Sequence, residues 1–195
     1  MFQDSFPREL KDDVEYVSSN ISMKTYNNVR NGESEEQSSW ILLDNQRITF
    51  PYRVYYIDNI DSLNKKYTPE QITVYHCIFS RSCDGYVREN HIKALLSCDL
   101  PIWAIPYIIK VSDEYVVEIL ESIYQRLKNT NTDNFQATCH KNLQLFLYGH
   151  DRMISYWNEF YRTQCYKYHN YVGYQLYKEC YGYNRSLEKL RITRK

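Results

Sequence analysis

The chain has 195 residues, with 24 Lys and Arg against 24 Asp and Glu, and 31 aromatic residues of which 21 are Tyr. A chain of this length buries enough surface to fold as one domain without a metal or disulfide staple, and 5 Gly and 5 Pro among so many large apolar side chains exclude a collagen-like or wholly disordered protein. The opening residues, with Asp12 and Asp13 close behind, lack the basic start and apolar stretch of a secretory signal, and no window approaches the roughly 20 apolar residues of a membrane-spanning helix. A cytoplasmic protein with no membrane partner is therefore expected.

In residues 7–21 an early Pro7 is followed by Leu10, Val14, Val17 and Ile21, spaced as one face of a helix. The N-terminal helical region is set at 1–26, and the polar stretch 27–39, with Val29 its one large apolar residue, reads as a linker. Two β-favouring runs, Trp40 to Leu43 and Arg47 to Phe50, flank the short polar turn Asp44, Asn45, Gln46, which predicts a β-hairpin within 40–57. The helical part is expected over 65–195. Thr68, Pro69, Glu70 and Gln71 carry every sign of a helix start, and the helix should run to about Ser80. Asp84 is the expected cap of a second helix with Val87, His91, Ala94 and Leu95 on one stripe. Residues 101–111 are apolar nearly all round, which predicts a core segment containing Trp103 and bent or opened by Pro106.

The strongest periodicity lies beyond Tyr115, where Val116, Ile119, Leu120, Ile123, Tyr124 and Leu127 share a face. Glu118, Glu121 and Gln125 take the opposite one. Such a helix needs neighbours to cover its apolar side, and three are expected: 134–148 with Gly149 as a stop, 151–163 capped by Asp151, and 170–181 ended by Gly182. A short basic helix over 186–195 would close the chain.

Residues 84–127 resemble the HEAT-type helical repeat. The likeness rests on Asp84, Val87, Arg88 and the Ala94-Leu95 pair of one second helix, then on the Pro106-containing apolar helix and the Asp113 turn that follow. It departs from the pattern at Glu118, where the family places a basic residue. The resemblance implies a mostly α protein, a right-handed stack of antiparallel helix pairs whose second helices line a concave face for another macromolecule. Asp84 and Arg88, one helical turn apart, are expected to order their turn, a structural role.

Chemistry finds little support. Cys77, Cys83, His91 and Cys98 are too widely and unevenly spaced for a structural zinc site. His76-Cys77 and Cys139-His140 are adjacent pairs whose side chains leave a helix about 100° apart. The six cysteines are read as free thiols, mostly buried. Neither Gly-x-Gly nor Gly-Lys-Ser/Thr occurs, and Cys83 with His91 lacks an oxyanion-forming loop. No catalytic residue, metal or cofactor is therefore assigned.

Charge is uneven: residues 1–70 hold 8 basic and 12 acidic side chains, 71–140 hold 6 and 8, and 141–195 hold 10 and 4 together with 10 Tyr. The expected function is a non-enzymatic, intracellular protein-binding module, such as an immunity or regulatory protein. Its contact residues would be Glu118, Glu121, Gln125, Arg152 and Arg162. Met153, Ile154, Trp157, Phe160 and Tyr161 have core spacing, so Trp157 is expected to pack. The alternative partner is nucleic acid, met by Arg152, Arg162, Lys167 and Lys178 interleaved with aromatic rings. Some HEAT-like proteins are alkylpurine DNA glycosylases, so the resemblance extends that alternative to glycosylase-like activity.

Overall fold

In a computed structural model that describes residues 2–23, 32–59 and 67–191, the chain is mostly helical, with two small antiparallel strand pairs. The ends of the expected N-terminal region, residues 27–31 of the expected linker, and residues 192–195 of the basic tail lie outside the described residues. Two compact units divide the chain, Met1–Trp103 and Ala104–Lys195. The division falls inside the stretch 65–195 that the sequence presents as one helical domain.

In the first unit, α1 (Lys11–Ser19) follows two 3-10 turns and buries Val14 and Val17. The strand β1 (Ser22–Met23) pairs with β4 (Tyr56–Ile57). Between them, β2 (Gln37–Ile41) and β3 (Arg47–Pro51) form the hairpin, with Trp40 opposite Ile48 and Ser38 opposite Phe50, all four buried. The strand begins at Gln37, so the last three residues of the expected linker are already paired, their alternation putting Ser38 and Trp40 on the covered face. Asn45 takes the left-handed conformation at φ 73° in the turn, which its short polar side chain tolerates.

The helix α2 (Pro69–Phe79) opens with a full capping box, Thr68 accepting from the Gln71 amide while the Gln71 side chain accepts from the Thr68 amide. Asp84 caps α3 (Gly85–Ser97) through the amides of Tyr86 and Val87. The buried stripe of α3 is turned from the expected one: Val87 and Ala94 are half-buried, while Arg88, Ile92 and Leu96 join His91 and Leu95 inside. Arg88 is tolerated there because its Nη1 donates to the carbonyls of Ser82 at 2.8 Å and Cys83 at 3.2 Å. Half-buried Trp103 meets Phe6 edge-on.

In the second unit, α4 (Ile105–Val111) carries Pro106 in its first turn and is buried except at Lys110. The helix α5 (Val117–Leu127) buries Ile119, Leu120, Ile123 and Leu127, with Val116 and Tyr124 half-covered at the edges of the stripe. The chain then breaks at Asn142, between α6 (Asp133–Lys141) and α7 (Leu143–Tyr156), rather than at Gly149. Gly149 sits buried in the middle of α7, where an added Cβ would stand 3.0 Å from Tyr177 Oη and 3.3 Å from Asp113 Cβ. Its missing side chain serves close approach, not termination. Asp151, expected as a cap, is consequently an interior residue of α7.

A π turn, Trp157–Tyr161, prolongs α7, and a second, Leu176–Cys180, prolongs α8 (Val172–Gln175). Gly182 at φ 75° ends that segment, and α9 (Arg185–Glu188) follows. Much of the C-terminal tyrosine content is core: Tyr177 stacks on Phe146 and Tyr181 on Phe135, all buried. The six cysteines are free, with Cys77, Cys139 and Cys180 buried. Among the described residues, no helix is long and apolar enough to cross a membrane.

Candidate interaction surface and histidine clusters

Glu118, Glu121 and Gln125 are exposed on α5, opposite its buried stripe. The two arginines expected as contact residues nearer the C-terminus have separate surroundings. Arg152 is half-buried, its Nε 4.0 Å from Asp113 Oδ2, an atom that also accepts from Lys110 Nζ at 2.6 Å. Burial raises the pKa of the Asp113 carboxyl above its ordinary value, although Lys110 and Arg152 both oppose the rise. Arg162 is exposed, its guanidinium 5.8 Å from the Trp157 ring centre and 5.9 Å from that of Tyr166. Trp157 itself is buried and donates from Nε1 to the Cys165 carbonyl at 2.9 Å, a packing role.

Three aromatic residues outside the expected site form a surface cluster. The rings of Tyr115, Tyr156 and Phe160 lie 6.0–6.1 Å apart in all three pairings, and Tyr115 and Phe160 are about half exposed, at 49% and 51%. Phe160 leaves the predicted core stripe because the i→i+5 turn at Trp157–Tyr161 rotates the residues after Trp157 away from an α-helical register. Tyr161 anchors the cluster: its hydroxyl accepts from the Val117 amide and donates to the Tyr115 carbonyl, and its ring stacks on buried Tyr171. Burial raises the Tyr161 phenol pKa, the bond from the Val117 amide opposes the rise, and Glu118 and Glu121 add to it.

Each unit also holds a histidine cluster. In the first unit, His91 is 2% exposed with both ring nitrogens partnered: Nε2 lies 3.0 Å from Asp58 Oδ2 and Nδ1 2.7 Å from Nδ1 of His76. Tyr75 donates to the other Asp58 oxygen at 3.0 Å, and Phe79 stacks on the His91 ring. The chain of bonds closes when Nε2–H of His91 donates to Asp58 and Nδ1–H of His76 donates to His91. Burial, with the neighbouring His91, lowers the His76 pKa to about 4. This constellation links the end of β4 to α2 and α3.

In the second unit, His150 is 3% exposed and stacks on Tyr183 with ring centres 3.7 Å apart. Its Nε2 lies 3.3 Å from the Tyr168 hydroxyl, whereas buried Nδ1 has no hydrogen-bond partner. One ligand atom from each of His150, Asp151 and Glu188 falls within 4.8 Å of the other two. Burial lowers the His150 pKa to about 4, which leaves the imidazole neutral near pH 7. Arg191 spans both carboxylates, reaching Asp151 at 2.7 and 3.1 Å and Glu188 at 2.9 Å. Spacing along the chain does not reveal this group, because His150 and Asp151 are neighbours on a helix and Glu188 is distant in the chain. In comparisons with known proteins, the chain matches no family model, no curated protein and no solved structure.

Proposed function

We propose that this protein is a non-enzymatic, intracellular protein-binding module, of the immunity or regulatory kind, whose contact surface centres on Tyr115, Tyr156 and Phe160 with Glu118 and Glu121 at its rim. The observation that carries the reading is the half-exposed aromatic cluster, since large rings gathered at a surface are the usual anchors of protein interfaces. The carboxylates select a partner presenting basic side chains beside an apolar patch. In a HEAT-like stack, α5 is a second helix and its polar face the binding face, which agrees with Gln125 extending the same surface.

The test is recovery of a partner on the tagged full chain, compared across wild type, Phe160→Ser and Glu118→Lys/Glu121→Lys. Loss of one anchor ring should weaken binding by about 2 kcal/mol, and the charge reversal should abolish recovery while the melting temperature stays put. A partner held equally by all three proteins would remove this surface. The alternative, nucleic acid, is favoured by Arg162 lying over both Trp157 and Tyr166, the latter 75% exposed. It requires labelled single strands to be retained at low salt and released steeply as salt rises, with Arg152→Ala and Arg162→Ala flattening the dependence.

A further inference from the structure

We propose that His150, Asp151 and Glu188 form a binding site for a divalent transition-metal ion of the Zn2+ type, and that Arg191 is a tethered cation which the ion displaces. A buried imidazole nitrogen without a partner is costly, and His150 Nδ1 is such an atom, 4.0 Å from Glu188 Oε1. Its lone pair becomes available when the ring proton is on Nε2 and donated to the Tyr168 oxygen, the kind of outer contact that orients ligating histidines. Tyr183 supplies a second outer contact, stacking on His150 while donating to Glu188 Oε1 at 3.0 Å.

One imidazole and two carboxylates suit a borderline ion better than Mg2+ or Ca2+, which prefer oxygen alone. A shared ion with bonds of roughly 2.0–2.2 Å would draw the ligand atoms to about 3–3.5 Å apart. The half-buried Glu188, with its rotatable side chain on the short helix α9, can make that movement. The Arg191 side chain is 37% exposed and can swing outward as the ion enters. Adjacent positions on α7 do not prevent His150 and Asp151 from converging, because their side chains bend toward the same third residue.

The experiment titrates the metal-free full chain with Co2+, then displaces the Co2+ with Zn2+. Wild type should bind one equivalent and show ligand-field bands without the thiolate-to-cobalt band that cysteine coordination produces. Glu188→Gln and Asp151→Asn, both partly exposed positions, should each weaken binding at least tenfold, and Arg191→Met should tighten it at least tenfold by removing the competitor. A purely structural ion-pair network predicts instead that Arg191→Met lowers the melting temperature without any gain in affinity. No saturable binding by wild type, binding confined to Arg191→Met, a thiolate band, or affinity indifferent to Glu188→Gln and Asp151→Asn would each overturn the proposal.

Discussion

His91 and His150 are buried to nearly the same extent, one in each unit, yet they are provided for differently. His91 has a partner on each nitrogen and rests in a closed chain from Asp58 to His76. His150 has a partner on Nε2 alone and turns its other nitrogen toward two carboxylates that one guanidinium bridges without neutralising both. A buried polar group with every bond made is part of the scaffold, while one left incomplete beside acidic ligands is organised for something else. The contrast lies in satisfaction of the ring, not in depth of burial.

Replacing each histidine by a ring of similar shape separates the two cases most sharply. His91→Phe removes the bonds that His91 makes to Asp58 Oδ2 and to His76 Nδ1, so stability in a denaturant titration should fall by about 3–5 kcal/mol. The next effect is on pH. The folded-state pKa of His76 is lowered to about 4 from an ordinary 6.5, so the unfolded chain takes up the proton first. Its contribution is complete above about pH 6.5 and is lost as pH falls toward 4, by up to about 3 kcal/mol; because His150 carries the same shift, His76→Asn should remove about half of the histidine slope of stability against pH across that window.

Asp58→Asn keeps an acceptor for Tyr75 but removes the charge facing His91, and should cost about 1–2 kcal/mol in thermal melts. The smallest effect belongs to His150→Phe, which removes an unsatisfied nitrogen and one long contact to Tyr168. Stability of the metal-free protein should stay within about 1 kcal/mol of wild type. A loss at His150→Phe as large as that at His91→Phe would erase the contrast between the units.

Local features were legible where short-range physics decides them. The capping box at Thr68, the cap at Asp84, the Asn45 turn and the Ile119, Leu120, Ile123, Leu127 stripe all depend on residues within a few positions of one another, and all appear. Gly149 misled because composition does not distinguish a glycine that ends a helix from one that lets Tyr177 and Asp113 come close. Phe160 departs from its expected stripe because α-helical spacing does not hold across a π turn. Of the candidate surface, Glu118, Glu121 and Gln125 are readable as the polar side of α5 and Tyr156 and Phe160 lie one turn apart on one segment, but Tyr115 is far from both in the chain and joins them only in the fold, where Tyr161 bonds to its carbonyl.

By itself, the order of apolar and polar residues determined that most of this chain would be helix, where the hairpin would turn, and which side of α5 would meet solvent, because periodicity and capping act within a single element. Tertiary structure alone decided that Arg152 would approach Asp113 and that His150 would face Glu188. Those outcomes depend on which groups far apart in the chain the fold brings to 4.0 Å, and no spacing along the chain encodes that distance.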